Sequence, residues 1–520
     1  MSRPKKDFDL ELTPCNDQST TGHLFVKVVE KNAQSRNDTR ADMYFNLSTV
    51  VGADNGSLRW GGSGFEKTAR DIRISRDRTT QNWVLEASVE DALGQTKHPK
   101  LILDDYLDVV EYYNPTTQSR RLTIALAPRT LVLCFDGTSR QFSSRNTNIV
   151  KLMEILKKDD PSKQEASILP NWSLNIAAKV DEATAWYLYQ HIMDGYKFLM
   201  QTYQGSSAPI YRFDFINPPP ASSAGDQIVI FGYSRGAYTA RALAGMIHSV
   251  GLLPKNNREQ IAFAYNIYRA SADREQTKPT TERKKGMYEK KSIFCGHHVS
   301  ILPGDQDLSR PENIDPADFK RTFCRDAKVH FVGVWDTVGS VGAFRRKKLP
   351  HVSYNPSVSV FRQALALDEN RGNFIPSVWD HARTNESQNV LEVWFKGGHS
   401  DVGGGKQSIK EGQDPEQAPQ LSDISLRWMV RECKEHTRVR FDPTSMGNYC
   451  RSRTLGESYF RKPGEEQNKS ADHDLDLEDI TPETYSMLDK SLMWKLLEWL
   501  PLPKPSQAGN LRLETVYRYA

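Results

Sequence analysis

Residues 227–247 read QIVIFGYSRGAYTARALAGMI. An apolar, β-branched run ends at Gly232, and a helical pattern begins at Ala237. Between them stands Gly232-Tyr233-Ser234-Arg235-Gly236, a serine with a glycine two residues to either side. A sharp strand-to-helix turn crowds its neighbours, so glycine at Gly232 and Gly236 removes the Cβ contacts such a turn would make. The helix N-terminus then aims N–H groups and its positive dipole end at negative charge developing beside the serine. Five matching residues alone would be a weak signal. The strand before them and the helix after them make Ser234 a candidate nucleophile.

Outward from this stretch the texture continues. Strand-like runs stand at 130–135 (TLVLCF), 328–335 (KVHFVGVW) and 390–395 (VLEVWF), separated by helical patterns such as NIVKLMEILKK and ATAWYLYQHIMDGYKFLMQTY. Strands alternating with helices predict an α/β fold, with a mainly parallel sheet covered on both faces. A serine is nucleophilic only with a base, and the base needs an orienting carboxylate. Asp336 follows HFVGVW, and His399 follows LEVWF in KGGHSD; both fall at the edge where a parallel sheet carries its active site. The order Ser234, Asp336, His399 is that of α/β-hydrolases. Asp336 also suits a helix N-cap, which leaves Asp368 and Asp401 open as the third member. The strand TLVLCF ends in Asp136-Gly137-Thr138-Ser139. Backbone N–H groups of Gly137 or Thr138, with that of Arg235, are the candidate oxyanion hole, and Asp136 itself equally suits an Asx turn before the helix near Asn148.

Composition narrows the classes. With 69 Lys+Arg against 65 Asp+Glu in 520 residues, a net charge of +4 gives no argument for nucleic-acid binding. No run approaches 18 apolar residues, so no transmembrane helix is expected. The stretch MSRPKKDFDLELTP has basic residues but no apolar region behind them, which reads against a secretory signal. Six cysteines without CxxC spacing then read as reduced thiols of a cytoplasmic protein. Cys295-Gly-His-His298 lacks a second ligand pair at finger spacing, which reads against zinc, and a serine triad requires neither a metal nor an organic cofactor. Residues 255–326 are polar, with the charge run ERKKGMYEKK, and read as an inserted lid or loop.

The first 115 or so residues differ. Alternating runs HLFVKVVE and WVLEASVE, with turn signals between them, predict an all-β unit. It divides into two halves, each an alternating strand followed by a second apolar run: ADMYFNLSTVV from Ala41 and KLILDDYLDVV from Lys100. Asp54-Asn55-Gly56 supplies the positive φ of a hairpin turn. The expected division is residues 1–120 and 129–520, with the boundary between Asn114 and Arg129.

CFDGT, FGYSRGAYTARALAGMI, FVGVWDTVGSVG and GGHSDVGGG, in this order, resemble the α/β-hydrolase family that includes the type VI secretion phospholipase effectors. The resemblance covers roughly residues 129–500. It implies the same Ser234, Asp336 and His399 and, from its lipase members, hydrolysis of a phospholipid or another lipid ester. FNLSTVVGADNGSLRWGG, FEKTARDIRIS and LILDDYLD are similar to cyanovirin-N homology domains, sugar-binding lectins of two tandem repeats. That implies an oligosaccharide site in the first half, with Asn46, Asp54 and Asn55 as hydrogen-bonding residues and Trp60 as a stacking ring. The same residues also read as a hairpin turn and a core tryptophan. The founding lectin's disulfides have no counterpart beyond Cys15, and the second half has Tyr113-Asn114-Pro115 in place of Asn-Gly.

The expectation is a serine ester hydrolase with a lectin-like N-terminal domain. Two rivals remain open: a carbohydrate or glycolipid esterase, and an idle binding protein on a hydrolase scaffold. SMLDKSLMWKLLEWLPLPKP, from Ser486, has one apolar helical face that suits either peripheral membrane contact or packing on the core; Pro501 and Pro503 favour the core.

Overall fold

The structure is a computed structural model that describes residues 8–14, 23–30, 44–78, 82–114, 119–137, 146–169, 181–205, 225–276, 310–339, 349–371, 374–405, 418–451, 455, 469–484, 502–505 and 511–514. The chain divides into two compact units, one chiefly Met1–Arg129 and the other most of the chain from Thr130 onward.

The first unit is all β. Phe8–Pro14 pairs antiparallel with Leu24–Glu30, Val51–Asp54 with Ser57–Trp60, and Ala69–Arg76 with Trp83–Glu90. The duplication seen in the sequence is present in the backbone. Leu47–Thr49 and Leu103–Asp105 each form a 3-10 turn with a fully buried leading leucine, and a strand follows each turn directly. The capping residues Val50 and Tyr106 share φ values of −128° and −127°. Asn114 and Ser119 are partners at one end of a strand pair, Leu107–Asn114 with Ser119–Leu126.

The second unit carries a six-stranded, wholly parallel sheet. Its elements are β1 (Thr130–Phe135), α1 (Asn148–Ile155), β2 (Gln164–Leu169), α2 (Asp181–Thr202), β3 (Gln227–Tyr233), α3 (Arg235–Val250), α4 (Ile261–Gln276), α5 (Pro316–Phe323), β4 (Val329–Trp335), β5 (Val360–Ala366), β6 (Asn389–Phe395), α6 (His399–Gly403) and α7 (Leu421–His436). The strand order is β2-β1-β3-β4-β5-β6. Alternate residues of β1 and β3 feed two cores. Leu131, Leu133, Ile228 and Ile230 pack with α2, α3 and α4, whereas Val132, Cys134, Val229 and Phe231 pack with α1 and α7. Burial on both faces is why these strands read as continuous apolar runs.

Two strands of this sheet escaped the sequence reading. β2 is a short edge strand emerging from a polar loop. β5 is buried along its whole length yet contains Arg362 and Gln363. Arg362 pairs with Glu432, and Gln363 donates to Glu392 and accepts from Arg241, so both polar groups are satisfied inside the core. The stretch 255–326 also differs from its reading. Its first part, α4, buries Ile261, Ala264, Tyr265, Ile267 and Tyr268 in the core. The apolar stripe at helical spacing had been masked by surrounding charge. Residues 277–309, with Cys295–His298, and the apolar pattern from Ser486 to Leu500 lie outside the described residues. Among the described residues no helix is long and apolar enough to cross a membrane.

Candidate active site

Ser234 stands between β3 and α3 with φ 59° and ψ −123°. That strained backbone is held from two sides. The Ser234 N–H donates to Trp335 O at 3.0 Å, and Ser234 O accepts from Ala237 N at 3.1 Å. Neither neighbouring glycine has positive φ; both are required by proximity. A Cβ on Gly236 would lie 2.2 Å from Phe135 O, and one on Gly232 would lie 2.5 Å from Gly236 O. Backbone cannot yield to such contacts as a flexible side chain can.

Asp336 follows β4 directly and also has positive φ, 41°. Its N–H donates to Ala364 O at 2.7 Å, and its Oδ1 accepts from Ala366 N at 3.1 Å. These bonds to β5 turn Oδ2 to His399 Nδ1, 2.5 Å away. His399 opens α6, and its Nε2 is 2.7 Å from Ser234 Oγ. All three side chains are buried, Asp336 completely. The three residues singled out in the sequence are therefore brought into one hydrogen-bonded line, from strand ends separated by up to 165 residues.

Asp368 and Asp401 serve the same loop through its backbone. Asp368 Oδ2 accepts from Gly397 N at 2.7 Å, Asp401 Oδ2 from Gly398 N at 2.9 Å, and Glu369 Oε2 from His399 N at 3.1 Å. Three carboxylates thus hold three successive N–H groups. Burial raises the Glu369 carboxyl, but hydrogen bonds and charge from Arg371, with the N–H groups of Arg371 and His399, bring it below its ordinary value. Arg371 grips Glu369 through two nitrogens at 2.8 Å and lies over the Phe374 ring, whose plane meets the His399 ring edge-on at 4.9 Å. On its other flank the imidazole stacks on Tyr233 at 4.8 Å, and Tyr233 Oη donates to His399 O at 3.0 Å. Burial, then the nearby Asp336, push the Tyr233 phenol upward, so it stays a neutral donor. Tyr233, Glu369, Arg371 and Phe374 were missed in the sequence. The tripeptide Glu369-Asn370-Arg371, just past a strand that itself went unseen, was the signal available.

Gly137 lies against Ser234: a Cβ there would be 3.4 Å from Ser234 Cβ. Its N–H donates to the Asp136 carboxylate at 2.7 Å. The same Oδ1 accepts from Thr147 Oγ1; Thr147 caps α1, so Asp136 braces the cap and is not the cap that the sequence also allowed. Thr138 lies outside the described residues. The Arg235 N–H begins α3 beside Ser234 and has no acceptor among the described residues.

In the N-terminal unit, Asn46 Oδ1 caps the first 3-10 turn through Ser48 N, and its Nδ2 meets His23 Nδ1 at 3.2 Å. Asn55 has φ 45°, and its Oδ1 accepts from Ala92 N at 2.8 Å. Asp54 O accepts from Ser57 Oγ within the hairpin. Trp60 is half-buried and stacks on Tyr106 at 4.5 Å, joining the two repeats. Among the described residues, no cluster of His, Cys, Asp or Glu has the makings of a metal site.

A parallel sheet flanked by helices, with a serine on the strand-to-helix turn, defines the α/β-hydrolase class of fold. The model of the T6SS phospholipase effector Tle1-like catalytic domain matches residues 129–432, and the chain belongs to that family. The CVNH domain model matches residues 13–110. An uncharacterized protein of Saccharomyces cerevisiae is 32% identical over 253 residues, 47% of this chain and 32% of that protein. The chain thus spans about a third of that relative's length. An uncharacterized Pseudomonas aeruginosa protein of solved structure shares 14% identity and a TM-score of 0.35, over 70% of this chain and 52% of that one. A CVNH protein of N. crassa shares 19% identity and a TM-score of 0.17, over 24% of this chain and 98% of that one.

Proposed function

We propose that the chain hydrolyses a phospholipid ester, with Ser234 as nucleophile, His399 as general base and then acid, and Asp336 as the group that holds the imidazole tautomer. The observation that carries the reading is the line Asp336 Oδ2–His399 Nδ1–Ser234 Oγ, at 2.5 and 2.7 Å. An Asp336 carboxylate accepting from Nδ1–H leaves Nε2 as the lone pair facing the serine hydroxyl. Ser234 Oγ attacks the acyl carbonyl while its proton passes to Nε2, and the proton then goes to the leaving alcohol. Water repeats the sequence on the acyl-enzyme. The Arg235 N–H is the first oxyanion donor. Gly137 is close enough to supply a second once its N–H leaves Asp136. The phospholipid substrate rests on family membership.

The N-terminal unit, by its match to the CVNH model, is proposed as a carbohydrate-binding module. A glycolipid ester is accordingly the second reading of the substrate. A fluorophosphonate probe tests the hydrolase. Labelling of the folded wild type and none of Ser234→Ala supports it; no labelling of either leaves a binding protein on a hydrolase scaffold.

A further inference from the structure

Arg235 follows the nucleophile directly, is half-buried, and has no acid or acceptor among the described residues. The other interior arginines show how a folded chain ordinarily treats this side chain. Arg362 is paired with Glu432, Arg371 with Glu369, and Arg427 with Asp476 and Asp479. Arg241 donates to the carbonyls of Val352, Ser377 and Val378 and to Thr337 and Gln363, while Arg325 donates to three carbonyls. A cation withdrawn from water without such partners is costly, and burial alone pushes the Arg235 guanidinium down to about 10.

The acids on the neighbouring loops are already engaged. Asp336 is on His399 and Ala366, Asp136 on Gly137 and Thr147, Asp368 on Gly397, Asp401 on Gly398, and Glu369 on Arg371 and His399. Among the described residues, therefore, the residue next to the nucleophile carries a guanidinium that no acid compensates.

We propose that Arg235 is a specificity-determining residue that receives the phosphodiester of a phospholipid substrate, so that the anion it lacks among the described residues arrives with the substrate. This rests on the lipid-ester reading of the site. The planar guanidinium fork matches two phosphate oxygens, and such a charge-assisted pair is among the strongest hydrogen-bonded contacts available. An uncharged glyceride offers it nothing. Arg235 thereby selects among lipid esters, while the acyl transfer itself stays with Ser234 and His399.

The test compares hydrolysis of phosphatidylcholine and diacylglycerol of identical acyl chains, in the same mixed detergent micelles, by the full chain. The ratio of the two kcat/KM values should fall at least ~10-fold in Arg235→Met, and by less in Arg235→Lys, which keeps the charge without the fork. Parallel loss on both substrates, with the ratio unchanged, would overturn the assignment. A second measurement needs no variant. Glycerophosphocholine should slow fluorophosphonate labelling of Ser234 in the wild type, and glycerol at the same concentration should not; equal effects would refute the phosphate contact. A folded wild type that neither takes the probe nor cleaves either lipid would instead sink the hydrolase reading on which the proposal stands.

Discussion

Asp336→Asn separates a positioning carboxylate from a merely buried one. The two side chains have nearly the same shape, so packing is conserved. The carboxylate accepts twice, from Ala366 N at 3.1 Å and from His399 Nδ1 at 2.5 Å, and an amide can accept with only one of its two ends. If Nδ2 faces His399, Nδ1 must become the acceptor. The ring proton then moves to Nε2, where it points at Ser234 Oγ and no base remains. If the amide is reversed, Nδ2 meets the Ala366 N–H and two buried donors face each other, at about 1–3 kcal/mol. The first arrangement avoids that cost and so prevails. The expected result is a loss of roughly 10⁴-fold in kcat for ester hydrolysis, about 5.5 kcal/mol of transition-state stabilisation, with a Tm close to wild type. The rate of fluorophosphonate labelling should drop in parallel, because it depends on the same base. Turnover within a few fold of wild type in a folded Asp336→Asn protein would refute the reasoning. The acid would then be sought at Asp368 or Asp401, which here bind Gly397 and Gly398.

Gly236→Ala sets a Cβ 2.2 Å from Phe135 O, on a strand paired on both sides, so a loss on the order of 3 kcal/mol or more is expected, read as soluble yield and Tm. Glu369 is held below its ordinary value of 4.5 in the folded chain, so its contribution is fully present above that pH and is lost as pH falls through the lowered value. Glu369→Gln should therefore flatten the fall in Tm on acidification below about pH 4.5, and an unchanged acid limb would count against this group. On a glycan array the full chain should bind oligosaccharide. Asn55→Ala removes the acceptor for the Ala92 N–H and leaves a non-glycine at φ 45°, at a cost of about 1–2 kcal/mol. A glycan signal lost without any fall in the N-terminal unit's melting temperature would mean that Asn55 touches sugar directly.

How much of this was legible follows from where the information resides. The α/β class, the elbow and the order Ser234, Asp336, His399 are local: each is a polar group set immediately after an apolar run, and a parallel sheet collects such positions at one edge. The tandem repeat is local too, since each half carries its own leucine-led 3-10 turn. What surrounds the candidate triad is not. β5 concealed itself by burying Arg362 and Gln363, whose partners Glu432, Glu392 and Arg241 are distant in sequence. The support of His399 by Tyr233, Glu369 and Phe374 likewise exists only once three strand ends converge. Asp368 and Asp401 could not be told from Asp336 by spacing; their distinction is which atom each carboxylate meets, a backbone N–H or an imidazole nitrogen. That Arg235 has no acid beside it among the described residues also belongs to the tertiary structure. An arginine is charged in any sequence, but whether an acid lies beside it is settled only when the loops are packed.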